Sequence, residues 1–143
     1  MGSKFRRAYK ILVGKPQLLG FDSAHWGSRL GNGSPAPLYI FNALNNEDFI
    51  VIRDGQLDCA SFELSSELSN GESVGVELRV NNAVVSSGNI IGGERRVVFD
   101  FLDDSGASSL PLSEGDTISW LLFETEGSPD EFIYARANIR YLK

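Results

Sequence analysis

His25 is the only histidine in the chain and Cys59 the only cysteine. These two residues set the limits on side-chain chemistry. A Ser–His–Asp or Cys–His scheme needs an imidazole as its base. Only the segment Phe21-Asp22-Ser23-Ala24-His25-Trp26 could supply it. Asp22 stands close to His25, but such proximity is common by chance. The reading is therefore a hydrogen-bonded surface or interface histidine, and no enzyme activity is expected. A structural zinc site takes about four Cys or His ligands, more than this chain holds. Cys59 lies in Leu57-Asp58-Cys59-Ala60-Ser61-Phe62 with no cationic neighbour to hold a thiolate. It reads as a small, part-buried apolar residue of a strand.

Carboxylates offer the next chemistry. Glu47-Asp48, Asp103-Asp104, Glu114 with Asp116, and Asp130-Glu131 could present oxygens to a hard cation. None has the Asp-x-Asp-x-Asp-Gly spacing of a calcium loop, so they read as solvated loop charge. A carboxylate pair could hydrolyse a glycoside, but with nineteen acids nothing singles out one pair. Gly31-Asn32-Gly33 and Gly92-Gly93 lack the Lys-Ser/Thr and helix of a phosphate-binding loop. No cofactor or metal is expected.

The charge is unevenly placed. Lys4, Arg6, Arg7, Lys10 and Lys15 occupy the first twenty residues, which hold no acid; the chain as a whole carries a net charge of −6. A basic arm, residues 1–16, thus precedes an acidic body, residues 17–143, of ordinary single-domain size. An acidic body repels nucleic acid at long range, so no specific nucleic-acid partner is expected. No apolar run approaches the ~18 residues that cross a bilayer, and Ile11-Leu12-Val13 is too short for a signal-peptide core. Neither membrane association nor secretion by the usual signal is expected.

The body must position whatever the surface does, and its pattern is strand after strand. Residues 17–37 read as turn-rich, with Gly27–Pro37 an extended loop. From Leu38 the runs are Leu38–Asn42, Phe49–Arg53, Leu57–Ser65, Val74–Val80, Ala83–Ser87, Arg96–Leu102, Thr117–Glu124 and Phe132–Leu142. Asp54-Gly55 and Asn81-Asn82 are turn signals, the second a two-residue hairpin. Val74, Val76, Leu78 and Val80 share one face; so do Ile133, Ala135, Ala137, Ile139 and Tyr141. About eight strands with short turns predict an all-β antiparallel sandwich behind an extended N-terminal arm.

Two of these strands are apolar on both faces. Leu121 and Phe123 oppose Ile118, Trp120 and Leu122. Phe132, Tyr134 and Arg136 oppose the Ile133 face. Arg, Tyr and Phe are favoured at interfaces, so Leu121, Phe123, Phe132, Tyr134 and Arg136 are predicted to form a subunit contact. Trp26, Tyr39 and Tyr134 are the aromatics that could stack on a sugar ring, with Gly27–Pro37 shaping the site.

Residues Phe49–Leu57, Ala60–Leu64, Ser73–Asn82 and Leu112–Trp120, with their Arg-Asp-Gly and Gly-Asp turns, resemble the jelly-roll modules of tailed-bacteriophage structural proteins, both capsid decoration (cement) proteins and fibre or knob domains. The Gly115-Asp116 turn before a late strand also resembles the trimeric heads of tumour-necrosis-factor-like and complement-type proteins. The resemblance spans about residues 37–142 and carries no functional residue with it. It implies a non-enzymatic homotrimer on the outer surface of a virion, made in the host cytoplasm. Such a protein would clamp the major capsid protein, with Lys4, Arg6, Arg7, Lys10 and Lys15 reaching an acidic patch on the shell. The alternative it leaves open is a receptor-binding module that takes a host glycan.

Overall fold

The strictest alternation in the chain becomes the strand β6 (Ser73–Val80), with Val74, Val76 and Leu78 buried to full exclusion of solvent. Asn81 and Asn82 then take φ of 52° and 63°. Positive φ at both central residues is the two-residue hairpin turn that matches the twist of paired strands, and Asn accepts that region at low cost. The chain returns as β7 (Ala83–Ile91), paired antiparallel to β6.

The computed structural model describes residues 18–30, 36–37, 39–40, 47–127 and 129–142. Among them there is no helix. The other strands are β1 (Leu18–Arg29), β2 (Ala36–Pro37), β3 (Tyr39–Ile40), β4 (Phe49–Ile50), β5 (Gly55–Leu64), β8 (Arg96–Asp100), β9 (Pro111–Leu112), β10 (Thr117–Glu126) and β11 (Phe132–Leu142). Two antiparallel sheets result. The first runs β3-β1-β11-β5-β8 with β9 beside β5; the second runs β2-β10-β6-β7 with β4 beside β10. Four of the pairs are nested: β1 lies on β11, β4 on β10, β5 on β8 and β6 on β7; β11 with β5 and β10 with β6 then join these pairs into the two sheets.

The inward faces of the two sheets share one core. Trp26, Phe62, Ile133 and Ile139 come from the first sheet, and Leu78, Ile118 and Trp120 from the second. Trp120 crosses the gap, its ring centroid 5.8 Å from Phe62 and 5.9 Å from Phe99. Gly88 lets β7 approach β8 closely, since a Cβ there would press on Val97 and Phe99.

Three expectations are corrected. Residues 18–29, read as turn-rich, form a long strand with β11 as its partner from Leu18↔Leu142 to Arg29↔Phe132. Its own apolar signal is weak: among its residues 20–29, Ala24 and Trp26 are the buried ones. Second, the strand expected over Phe49–Arg53 shortens to Phe49–Ile50, and the turn expected at Asp54-Gly55 follows it as a bend at Arg53-Asp54. Ile50 pairs with Thr117 in the second sheet while Gly55 pairs with Tyr141 in the first, so the segment carries the chain between sheets. Third, β1, β2 and β9 bring the strands among the described residues to eleven, above the eight expected. The arm (1–16), with Lys4, Arg6, Arg7, Lys10 and Lys15, and residues 31–35 of the glycine-rich loop lie outside the described residues.

Candidate functional site

The residues singled out for chemistry do not converge. Asp22 lies three positions before His25, so the two lean to opposite faces of β1. The Asp22 carboxylate accepts the Tyr141 hydroxyl at 2.9 Å, while His25 sits across from Arg136 on the outer face. Burial first, and then Asp22, push the Tyr141 hydroxyl up to about 12. Cys59 is half-buried and accepts the Asn138 amide at 3.2 Å. Among the described residues, no group of three or more His, Cys, Asp or Glu is placed to hold a metal ion.

Trp26 is corrected as a sugar platform. Its ring is fully buried and its Nε1 donates to the Glu47 carbonyl at 2.9 Å. A side chain held in the core this way has no face to offer a ligand. Tyr39 belongs to the two-residue strand β3, where it pairs with Gly27.

The predicted subunit contact divides in two. Leu121 and Phe123 lie on the outer side of β10, in the second sheet, and are half-buried. The Phe123 ring covers Gly75 so closely that a Cβ there would meet it at 2.6 Å. Phe132, Tyr134 and Arg136 lie on the outer side of β11, in the first sheet, and are exposed. One set therefore faces away from the other across the thickness of the sandwich.

The first sheet's outer face is the richer of the two. The register aligns Arg29 with Phe132, Gly27 with Tyr134, His25 with Arg136 and Phe21 with Arg140. Phe132 and Tyr134 are each 53% exposed and Phe21 is 67% exposed. The Arg29 guanidinium lies 5.3 Å over the Phe132 ring and forms a fork to Asp130 at 2.8 and 2.9 Å. That fork holds the Asp130 carboxyl below its usual range, by hydrogen bond first and charge second. Arg140 lies 5.6 Å over Phe21 and reaches Asp58 at 3.1 Å. Arg136 donates to Ser61 Oγ at 3.2 Å. Cations stacked on aromatic rings are the contact chemistry of this face. The alternation in β11 already puts Arg140 on this face; the sequence pattern missed Phe21 and Arg29 because only the β1–β11 register brings them into line.

No protein-family model matches the chain, and no curated protein matches it. Among solved structures it is similar to the crystal structure of FlhE, at 12% identity over 85% of this chain and 97% of that one. The TM-score is 0.37, and so remote a likeness carries no argument about fold or role.

Proposed function

We propose that this chain is a non-enzymatic jelly-roll module, a decoration or cement protein of a tailed-phage head that assembles with copies of itself, as a trimer, and binds the major capsid protein. The nested pairing, first long strand with last and inward from there, supports the jelly-roll reading, because a folded-over ribbon of paired strands produces that order.

One observation carries the functional reading: Phe132 and Tyr134 stand half-exposed on a strand whose opposite face is already packed, with Arg29 and Arg136 beside them. Large rings on a rigid strand are costly to leave wet and cheap to dock, since little backbone order remains to be lost. Each leaves roughly 100 Å² in water, and covering it contributes about 2.5 kcal/mol before association costs. The basic arm would supply the second contact, attracting an acidic patch on the shell and weakening as salt rises.

The test combines sedimentation velocity of the full chain with cosedimentation on tailed-phage heads. The expected result is an oligomer that pellets with heads. Tyr134→Glu should release monomers, and R6E with R7E should weaken head binding. A protein that stays monomeric and ignores heads would overturn the proposal. Retention on host surface polysaccharide alone would move the reading to a receptor-binding module.

A further inference from the structure

The outer face of the first sheet has a second feature at its opposite end. Phe132 and Arg140 are eight residues apart on β11, about 26 Å along the strand. There, beyond the Tyr134 patch, lies an open cavity of about 470 Å³ lined by Phe21, Asp22, Ser23, Asp58, Cys59 and Asn138, with Leu102 at its margin. Six of these residues come from β1, β5 and β11, neighbouring strands of one sheet, and Leu102 from the segment after β8, so the ladder holds most of its geometry. A bulge makes it: Asn138 pairs with Cys59 but Ile139 pairs with Leu57, leaving Asp58 as the extra residue. Bulges re-aim side chains, and here Asp58, though buried, is one of the residues that line the cavity.

The polar groups select the ligand class. Asp58 accepts Gln56 Nε2 at 2.7 Å on one oxygen and Arg140 Nε at 3.1 Å on the other. Its charge is thus already matched, which removes the incentive for a cation. The Asp22 carboxylate, turned to the other face of β1 and bonded by Tyr141, adds uncompensated negative charge nearby, which disfavours an anion. Ser23 Oγ donates to Asn138 Oδ1 at 3.1 Å, and Asn138 Nδ2 is directed at the Cys59 sulfur, a weak acceptor. An arriving hydroxyl oxygen is a better acceptor for that amide than the thiol. Beside these groups, the Phe21 ring is two-thirds exposed, with Arg140 set over one face. An apolar ring, a charge-matched carboxylate, an amide and a hydroxyl around a neutral space suit a molecule with one C–H face and several hydroxyls.

We infer that this cavity binds a single pyranose ring of a neutral glycan, with Phe21 as the stacking platform and Asp58, Asn138 and Ser23 as partners of its hydroxyls. The volume falls within the usual range for small-ligand sites. The inference does not rest on the assembly proposed above, since the two sites occupy opposite ends of the face.

The experiment titrates the full ¹⁵N-labelled chain separately with methyl α-D-mannopyranoside, methyl β-D-galactopyranoside and methyl α-D-glucopyranoside. The expected result is that at least one gives saturable amide shifts around residues 21–23, 58–59 and 138–140, with a Kd of roughly millimolar order. The same sugar should slow alkylation of Cys59 by iodoacetamide, a clean signal because the chain has one cysteine. Phe21→Ala should weaken binding about two- to tenfold, as loss of a ring contact does. Tyr134→Ala, at the other end, should leave it unchanged. The inference is overturned if no sugar saturates, if the shifts fall elsewhere, or if Phe21→Ala binds as tightly as the parent. None of these results alters the sedimentation outcome that tests assembly.

Discussion

Replacing Asn81 separates two contributions that meet at one residue. Its φ of 52° sits in the left-handed region, and its side chain ties the β6–β7 turn to the start of β10. Asn81 Nδ2 donates to Asp116 Oδ1 at 3.0 Å, and Asn81 Oδ1 accepts the Thr117 amide at 3.0 Å. Asn81→Gly keeps the backbone conformation and loses both bonds. At roughly 0.5–1.5 kcal/mol per exposed bond, the cost of losing two is about 1–3 kcal/mol. Asn81→Ala loses the same bonds and adds about 1–2 kcal/mol for a Cβ at positive φ. The Ala variant should therefore lose about 2–5 kcal/mol, and melt about 3 °C lower for each of them. Urea unfolding and thermal scans at one fixed protein concentration measure both. The bond to Asn81 first, and the Ser113 amide second, hold the Asp116 carboxyl below its usual range. A depressed carboxylate contributes stability above its unfolded pKa of 3.8 that is lost as pH falls through the lower folded value. The gap between parent and Asn81→Gly should therefore narrow in acid. An Ala variant as stable as the Gly variant, or a gap that widens in acid, would refute the reasoning.

Two further outcomes follow from the sheet contacts. Gly55 pairs with Tyr141 at the start of β5, and a Cβ there would run into the Arg140 carbonyl oxygen, which the ladder holds fixed. Gly55→Ala should cost about 2–3 kcal/mol or more in urea unfolding, and a loss below about 0.5 kcal/mol would contradict the close approach. The Tyr141 hydroxyl, with its pKa pushed up to about 12 against an ordinary 10.0, contributes stability that is complete below pH 10.0 and lost as pH rises towards 12. Ultraviolet titration should find one tyrosinate forming last, and Tyr141→Phe should remove that late step.

Some of this molecule was legible from its letters. Alternation in residues 74–80 and 133–141 named the buried faces of β6 and β11, and Asn81-Asn82 named the β6–β7 hairpin turn, because pleat period and turn preference are local properties. The all-β class followed from the same signal repeated along the chain. What the letters could not supply was partnership. Residues 18–29 look like loop in isolation; β11 alongside makes them a strand, with Trp26 enclosed in the core and so excluded as a sugar platform. Leu121 and Phe123 resemble Phe132 and Tyr134 in pattern, yet the chain crosses between sheets after β10 and leaves the two pairs on opposite outer faces. Phe21, Asp58 and Asn138 come from distant stretches and meet only because β1, β11 and β5 align with one bulge. Local sequence determines which way a side chain leans from its own backbone. Which strand lies beside it, and so which side chains meet, is decided by long-range hydrogen bonds and burial that exist only in the folded chain.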